Sequence, residues 1–241
     1  MTSSRKEEPC VLALHAAATT RALWDEVRRS ARGFHLLAPD LAAIARAARG
    51  DRDLVIELLA ALLPERPVPL AGCGTGANLA VEIAARVPER VSGLLLVNPY
   101  PPRPRPRTQS TWRSLLRSAR NGVSEDERRS WATLLVNPEG PRFEAAAERT
   151  VAMLRAVAEQ VHRPEVLDVL DAADIRRQLP ALRERIQILF GAARPLPFSD
   201  DAREKWIEAV GEERVRSVDR AGYWIPLEEP ELIAEALRRL C

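Results

Sequence analysis

A doubly wound α/β fold is what the sequence predicts: a mostly parallel sheet of about six strands, covered by helices, with an α-helical insertion between the fourth and fifth strands. Three observations predict it. Short apolar runs recur along the chain, and they are continuous rather than alternating, as strands buried on both faces of a parallel sheet require. Segments with apolar residues at helical spacing separate most of these runs. One stretch, 103–178, breaks the alternation and carries no strand signal.

The elements follow in order. Val11–Leu14 is the first run and ends at His15. Phe34–Ala38 is the second and ends at Pro39-Asp40; His35 lies inside it and is expected in the core. Leu54, Leu58, Leu59, Leu62 and Leu63 then recur as on one helix. Val68–Ala71 is the third run and leads into Gly72. Leu79, Ile83 and Val87 mark the next helix, which Pro88 closes. Leu94–Val97 is the fourth run, ending at Asn98-Pro99. The insertion opens with Pro101-Pro102-Arg103-Pro104-Arg105-Pro106-Arg107, a polyproline II signal, and is helical up to Ile175. Ile186–Phe190 is the fifth run and Val215–Val218 a weaker sixth. Leu232, Ile233, Ala236, Leu237 and Leu240 form a terminal helix. Residues 1–102 and 179–241 are thus the expected core, and 103–178 a helical cap.

Composition narrows the function. The 241 residues suffice for a large core. Lys and Arg number 36 against 34 Asp and Glu, a balance that argues against a nucleic-acid partner. No apolar run reaches the ~18 residues of a membrane span, and Met1–Pro9 is too polar for a secretory leader. Three cysteines (Cys10, Cys73, Cys241) make no disulfide framework, so a reducing, cytoplasmic setting is expected. The sparse His and Cys give no metal signature, and Gly72–Gly76 lacks the Lys of a phosphate-binding loop; no cofactor is expected. Arg103, Arg105, Arg107, Arg113, Arg117 and Arg120 have no acidic residue among them. Such a run is a solvated face or a dock for an acidic protein partner.

The third run enters Gly72-Cys73-Gly74-Thr75-Gly76 and then a helix. Glycines at this spacing make the sharp strand-to-helix bend of a nucleophile elbow, which lifts its middle side chain to the carboxyl edge of the sheet. With Val11–Ala16, Trp24, Ala38–Leu41, Pro88–Pro99 and Ala221–Pro230 around it, the chain resembles the α/β-hydrolase-fold superfamily, of the small esterase and cofactor-free haloperoxidase-like type. The resemblance implies a nucleophile at 74, an acid at 194 and a histidine at 223, in that chain order. The sequence has Gly74, Arg194 and Tyr223 instead. A glycine cannot attack, an arginine stays protonated and cannot orient an imidazolium, and a neutral tyrosine is a poor base near pH 7. No histidine follows His162.

Several residues remain candidates. Tyr223 either fills the volume of the missing histidine or donates a proton to a substrate oxygen. Arg194 either pairs outward with Asp200 or Asp201, or makes the pocket electropositive. His15, at the carboxyl end of the first strand, is catalytic or structural. Cys73 is expected as a small buried hydrophobe. The Thr75 amide faces a ligand in that bend. Ala16, Ala17, Trp24, Gly74, Tyr100, Trp112, Trp131, His162 and Trp224 are the other candidates to line a small-molecule site. The functional expectation is a non-hydrolytic enzyme acting on a small, largely apolar metabolite between core and cap, of cyclase, isomerase or lyase type, as in specialised-metabolite biosynthesis. The alternative is a catalytically inactive homologue serving as a binding or structural partner. A hydrolase using other residues ranks third, because fold alone confers no activity.

Overall fold

The computed structural model describes residues 8–17, 19–103, 124–160, 169–171, 173–193 and 199–241. Six strands form one sheet: β1 (Cys10–Leu14), β2 (His35–Leu37), β3 (Val68–Cys73), β4 (Val91–Val97), β5 (Ile186–Gly191) and β6 (Val215–Val218). All neighbours are parallel, in the order β2-β1-β3-β4-β5-β6. The chain therefore grows in both directions from β1 and β3, and loops at the carboxyl ends of these strands converge there.

Position in the sheet explains the patterning. Every residue of the inner strand β3 is buried. Pro69 has no N–H for the ladder, and the pairing of β3 with β4 shifts register between Val68 and Leu70. β2 is an edge strand and alternates. Leu36 turns inward, while the His35 side chain is 76% exposed with Nε2 3.3 Å from Glu8 Oε2. This corrects the expectation that His35 is a core residue: at an edge, only one face of the strand meets the core.

Helices cover both faces. α2 (Leu41–Ala47), α3 (Arg52–Ala61) and α4 (Thr75–Arg86) pack into one apolar cluster with Leu12, Leu70 and Leu96 of the sheet. α1 (Asp25–Ser30) packs into the other, with Ala71, Leu95 and Leu189. Local chemistry sets the helix starts. The Asp40 and Asp51 carboxylates accept from the Ala43 and Leu54 amides, each at 3.1 Å, which satisfies N–H groups that have no partner inside the helix.

Between β4 and β5 lie α5 (Glu125–Leu135) and α6 (Phe143–Gln160). α5 opens with a reciprocal cap between Ser124 and Glu127. These helices are joined to the second apolar cluster through Leu135, Val136, Ala146 and Met153. Ion pairs from Arg149 of α6 to Glu26 and from Arg142, just before α6, to Glu231 (2.7 Å) tie this segment to α1 and the last helix. α7 (Leu179–Leu182) and α8 (Ser199–Val210) flank β5. α9 (Ile225–Glu228) and α10 (Pro230–Leu240) close the chain. Trp112, His162, Arg194 and the basic run beyond Arg103 lie outside the described residues. Among the described residues, no helix is long and apolar enough to cross a membrane.

Candidate active site

β3 ends in a bend at Gly74, with φ +55° and ψ −121°, and α4 starts at once. The Gly74 amide donates to the Val97 carbonyl at 3.0 Å, and its own carbonyl accepts from Ala77 at 3.1 Å. The bend is crushed against β1. A Cβ on Gly76 would stand 2.5 Å from the carbonyl oxygens of Leu14 and His15, so no side chain fits there. The strand, bend and helix expected from the glycine spacing all form.

Gly74 itself presents no side chain, and other groups fill the space beside it. A Cβ there would lie 3.1 Å from Tyr223 Oη, 3.1 Å from Ala16 Cβ and 4.0 Å from Tyr100 Cε2. Tyr223 and Tyr100 are both buried. Burial pushes both phenols well above their ordinary range, so both are neutral. Burial likewise pushes the Cys73 thiol up, and Cys73 is the inert buried hydrophobe anticipated.

Tyr223 is held from several sides. Its hydroxyl donates to the Asn98 carbonyl at 3.3 Å, and its own carbonyl accepts from Asn98 Nδ2 at 2.7 Å. Its amide donates to the Leu135 carbonyl at 2.7 Å. Its ring meets Trp224 edge-on, with centroids 4.7 Å apart. Asn98 follows β4 in a left-handed conformation, φ +42°, which asparagine tolerates better than most residues. Its Oδ1 also accepts the Gly191 amide at 3.0 Å, so one buried side chain clasps the end of β5 to the Tyr223 loop. Asn98→Ala orphans the Gly191 N–H and the Tyr223 carbonyl. The expected loss is about 2–5 kcal/mol of stability, measured by urea denaturation; a loss under ~1 kcal/mol would show that these bonds are replaceable.

His15 is 2% exposed, with both ring nitrogens engaged. Nδ1 lies 2.9 Å from the Ala16 carbonyl, and Nε2 accepts the Leu41 amide at 3.1 Å. A proton on Nδ1 and a lone pair on Nε2 satisfy both contacts, so the ring is the neutral tautomer. Burial lowers its pKa to about 4. The Ala17 amide, which faces the bend, donates to Thr75 Oγ1 at 2.8 Å. The Thr75 hydroxyl thus takes up this donor. Trp24 and Trp224 are fully buried among Leu23, Leu135 and Val27, whereas Trp131 on α5 is half-buried.

A family model described as the alpha/beta hydrolase family matches residues 11–236. The chain belongs to the alpha/beta hydrolase family. No curated protein sequence matches it. Among solved structures, this alpha/beta hydrolase-family chain is similar to an alpha/beta hydrolase enzyme from a Medee basin deep-sea metagenome library. There the TM-score is 0.71 at 12% identity, covering 100% of this chain and 91% of that one. It is similar to a bacterial membrane phospholipase A described as a virulence factor, with TM-score 0.65 and 22% identity over 98% and 79% of the two chains. It is also similar to the 2-hydroxy-6-oxo-6-phenylhexa-2,4-dienoate hydrolase of Rhodococcus sp. strain RHA1, with TM-score 0.63 and 15% identity over 97% and 90%. At these identities the likeness establishes the fold.

Two residues of this alpha/beta hydrolase-family site were not singled out by sequence reasoning: Asn98 and Glu228. Asn98 looked like a strand terminator. Glu228 closes an uninterrupted buried stretch, residues 221–228, and is itself 6% exposed. The legible signal was a carboxylate adjoining the apolar run Tyr223–Leu227. Among the described residues, no cluster of side chains could hold a metal ion.

Proposed function

We propose that this chain is a non-hydrolytic member of the family, in which the stations for acyl transfer carry Gly74, Arg194 and Tyr223, and that it acts as a binding or structural protein. One observation carries this reading: the Tyr223 hydroxyl stands 3.1 Å from where a Cβ on residue 74 would be. The place a nucleophilic side chain would rise into already holds a phenol. The neighbouring groups are also committed to the protein itself. His15 has no nitrogen left to act as a base, and the Ala17 amide is bound to Thr75. The similar structures named above include hydrolases, and at 12–22% identity they share the fold without transferring an activity.

A second reading, an enzyme of cyclase, isomerase or lyase type on a small apolar metabolite, is favoured by one detail. The Tyr223 hydroxyl is a neutral donor whose bond to the Asn98 carbonyl is long, at 3.3 Å. A substrate oxygen could compete for that proton without a covalent intermediate.

The test of the shared claim is covalent. Incubation with a fluorophosphonate probe and with p-nitrophenyl butyrate should give no adduct by intact mass and no turnover above buffer. Stoichiometric labelling of the natural chain would overturn the proposal.

A further inference from the structure

α10 lies over β3 and β4, on the face of the second apolar cluster. Beside it, over β5 and the edge strand β6, a groove of about 650 Å³ opens. Gln187, Leu189 and Arg216 form its floor. Gln187 and Leu189 are two apart on β5, and Leu189 is the register partner of Arg216, so the three share one face of the sheet. Leu232, Glu235 and Ala236 form the α10 wall. They sit on the flank opposite Ile233, Ala234 and Leu237, which are buried in the core. The wall is fixed at both ends. Two residues before α10, the Glu228 carboxylate accepts the Asn137 amide at 2.7 Å and the Gly222 amide at 3.0 and 3.1 Å. At the far end, Ser92 Oγ donates to Leu240 O at 3.4 Å. The groove is therefore a standing feature of the fold.

We propose that this groove takes the α10 of a second copy of the chain, each copy filling the groove of the other. Charge and shape select that occupant. Arg216 is exposed and, among the described residues, has no ion pair. The other cations at the groove are engaged: Arg214 with Glu184 and Glu213, Arg220 with Glu229, and Arg239 with Glu235. The floor thus offers one unpaired positive charge beside the apolar Leu189. Its complement is a helix that carries a carboxylate next to apolar residues, and the outer flank of α10 is such a helix. Glu235 stands between Leu232 and Ala236. Its present partner, Arg239, lies one turn on in an exposed pair of the kind worth little, so Glu235 can turn to another cation. A twofold axis running along two parallel α10 helices closes the arrangement. Leu232 and Ala236 then meet their own twins, as in parallel helix pairs, and Glu235 of each copy reaches the partner's Arg216.

The dimer does not depend on the non-hydrolytic reading, which covalent labelling tests and which a monomer satisfies equally well. Sedimentation equilibrium of the whole chain from about 1 to 500 µM should show a mass that rises with concentration to twice that of one chain. Arg216→Glu and Glu235→Arg each set like charges against one another, and each should raise the dimer Kd at least about tenfold. Combining the two reversals restores opposite signs and should return the Kd to within about threefold of the natural value. Both side chains are exposed, so each variant should keep its fold, which an unchanged urea midpoint checks. A monomer across the whole range, a dimer indifferent to both single reversals, or a double variant as weak as the singles would each overturn the proposal. If a variant does not fold, amide exchange of the natural chain decides. Protection of 214–218 and 230–240 that rises with concentration supports the paired grooves, and protection independent of concentration overturns them.

Discussion

Gly74→Ser is expected to destabilise the protein by about 2–6 kcal/mol and to yield no esterase. Two effects add. The bend has φ +55°, a conformation that a side-chain-bearing residue adopts at a strain of roughly 1–3 kcal/mol. The new Cβ would also press at 3.1 Å on both Tyr223 Oη and Ala16 Cβ, and such overpacking costs about 1–3 kcal/mol. Because the Tyr223 hydroxyl is one of the two atoms in the way, the positions should couple. Tyr223→Phe removes that oxygen together with its bond to Asn98 O. The double variant Gly74→Ser/Tyr223→Phe should therefore lose less stability than the two single losses added. A coupling of about 1 kcal/mol or more is readable in a urea double-mutant cycle. Strict additivity would mean that Tyr223 does not occupy the space beside residue 74. The absence of esterase activity follows from the base: His15 keeps both nitrogens bound, and residue 223 offers no imidazole.

The second large effect is on pH dependence. Glu228 has a folded-state pKa of about 7, above its ordinary 4.5. Between these values the folded chain holds a proton that the unfolded chain has released, so stability falls as pH rises and levels off above 7. His15 is the opposite case, with about 4 in the fold against 6.5. Between those values the unfolded chain holds the extra proton, so stability rises with pH. Each leg has a slope of about 1.4 kcal/mol per pH unit. They overlap from 4.5 to 6.5, where they cancel. The depressed carboxyls of Glu26 and Asp174 act only at or below the acid end of that range. The natural chain should therefore show a nearly flat urea midpoint between pH 4.5 and 6.5. Glu228→Gln should replace the plateau with a rise of up to 2–3 kcal/mol on the order of the two-unit span. If its midpoint stays flat, Glu228 does not hold a proton in the fold.

Much of this is legible in the sequence. Continuous apolar runs mark the sheet because inner parallel strands are buried on both faces, and all six runs became strands. The glycines at 72, 74 and 76 announce the bend because backbone geometry at such a bend is a local property, decided by the absence of Cβ atoms. The emptiness of position 74 can be read from a single letter. What fills that emptiness cannot. Whether residue 223 turns its hydroxyl over Gly74, whether His15 spends its nitrogens on Ala16 and Leu41, and whether Asn98 and Glu228 are hubs depend on contacts between segments far apart in the chain. His35 shows the same limit: its run reads as a strand, but only strand order makes it an edge and turns the ring to solvent. Secondary structure and the bend come from interactions within a few residues, which the sequence displays directly. The roles of the polar side chains are settled by which partners the packed sheet brings within hydrogen-bond reach, because a buried polar group takes its meaning from its partner.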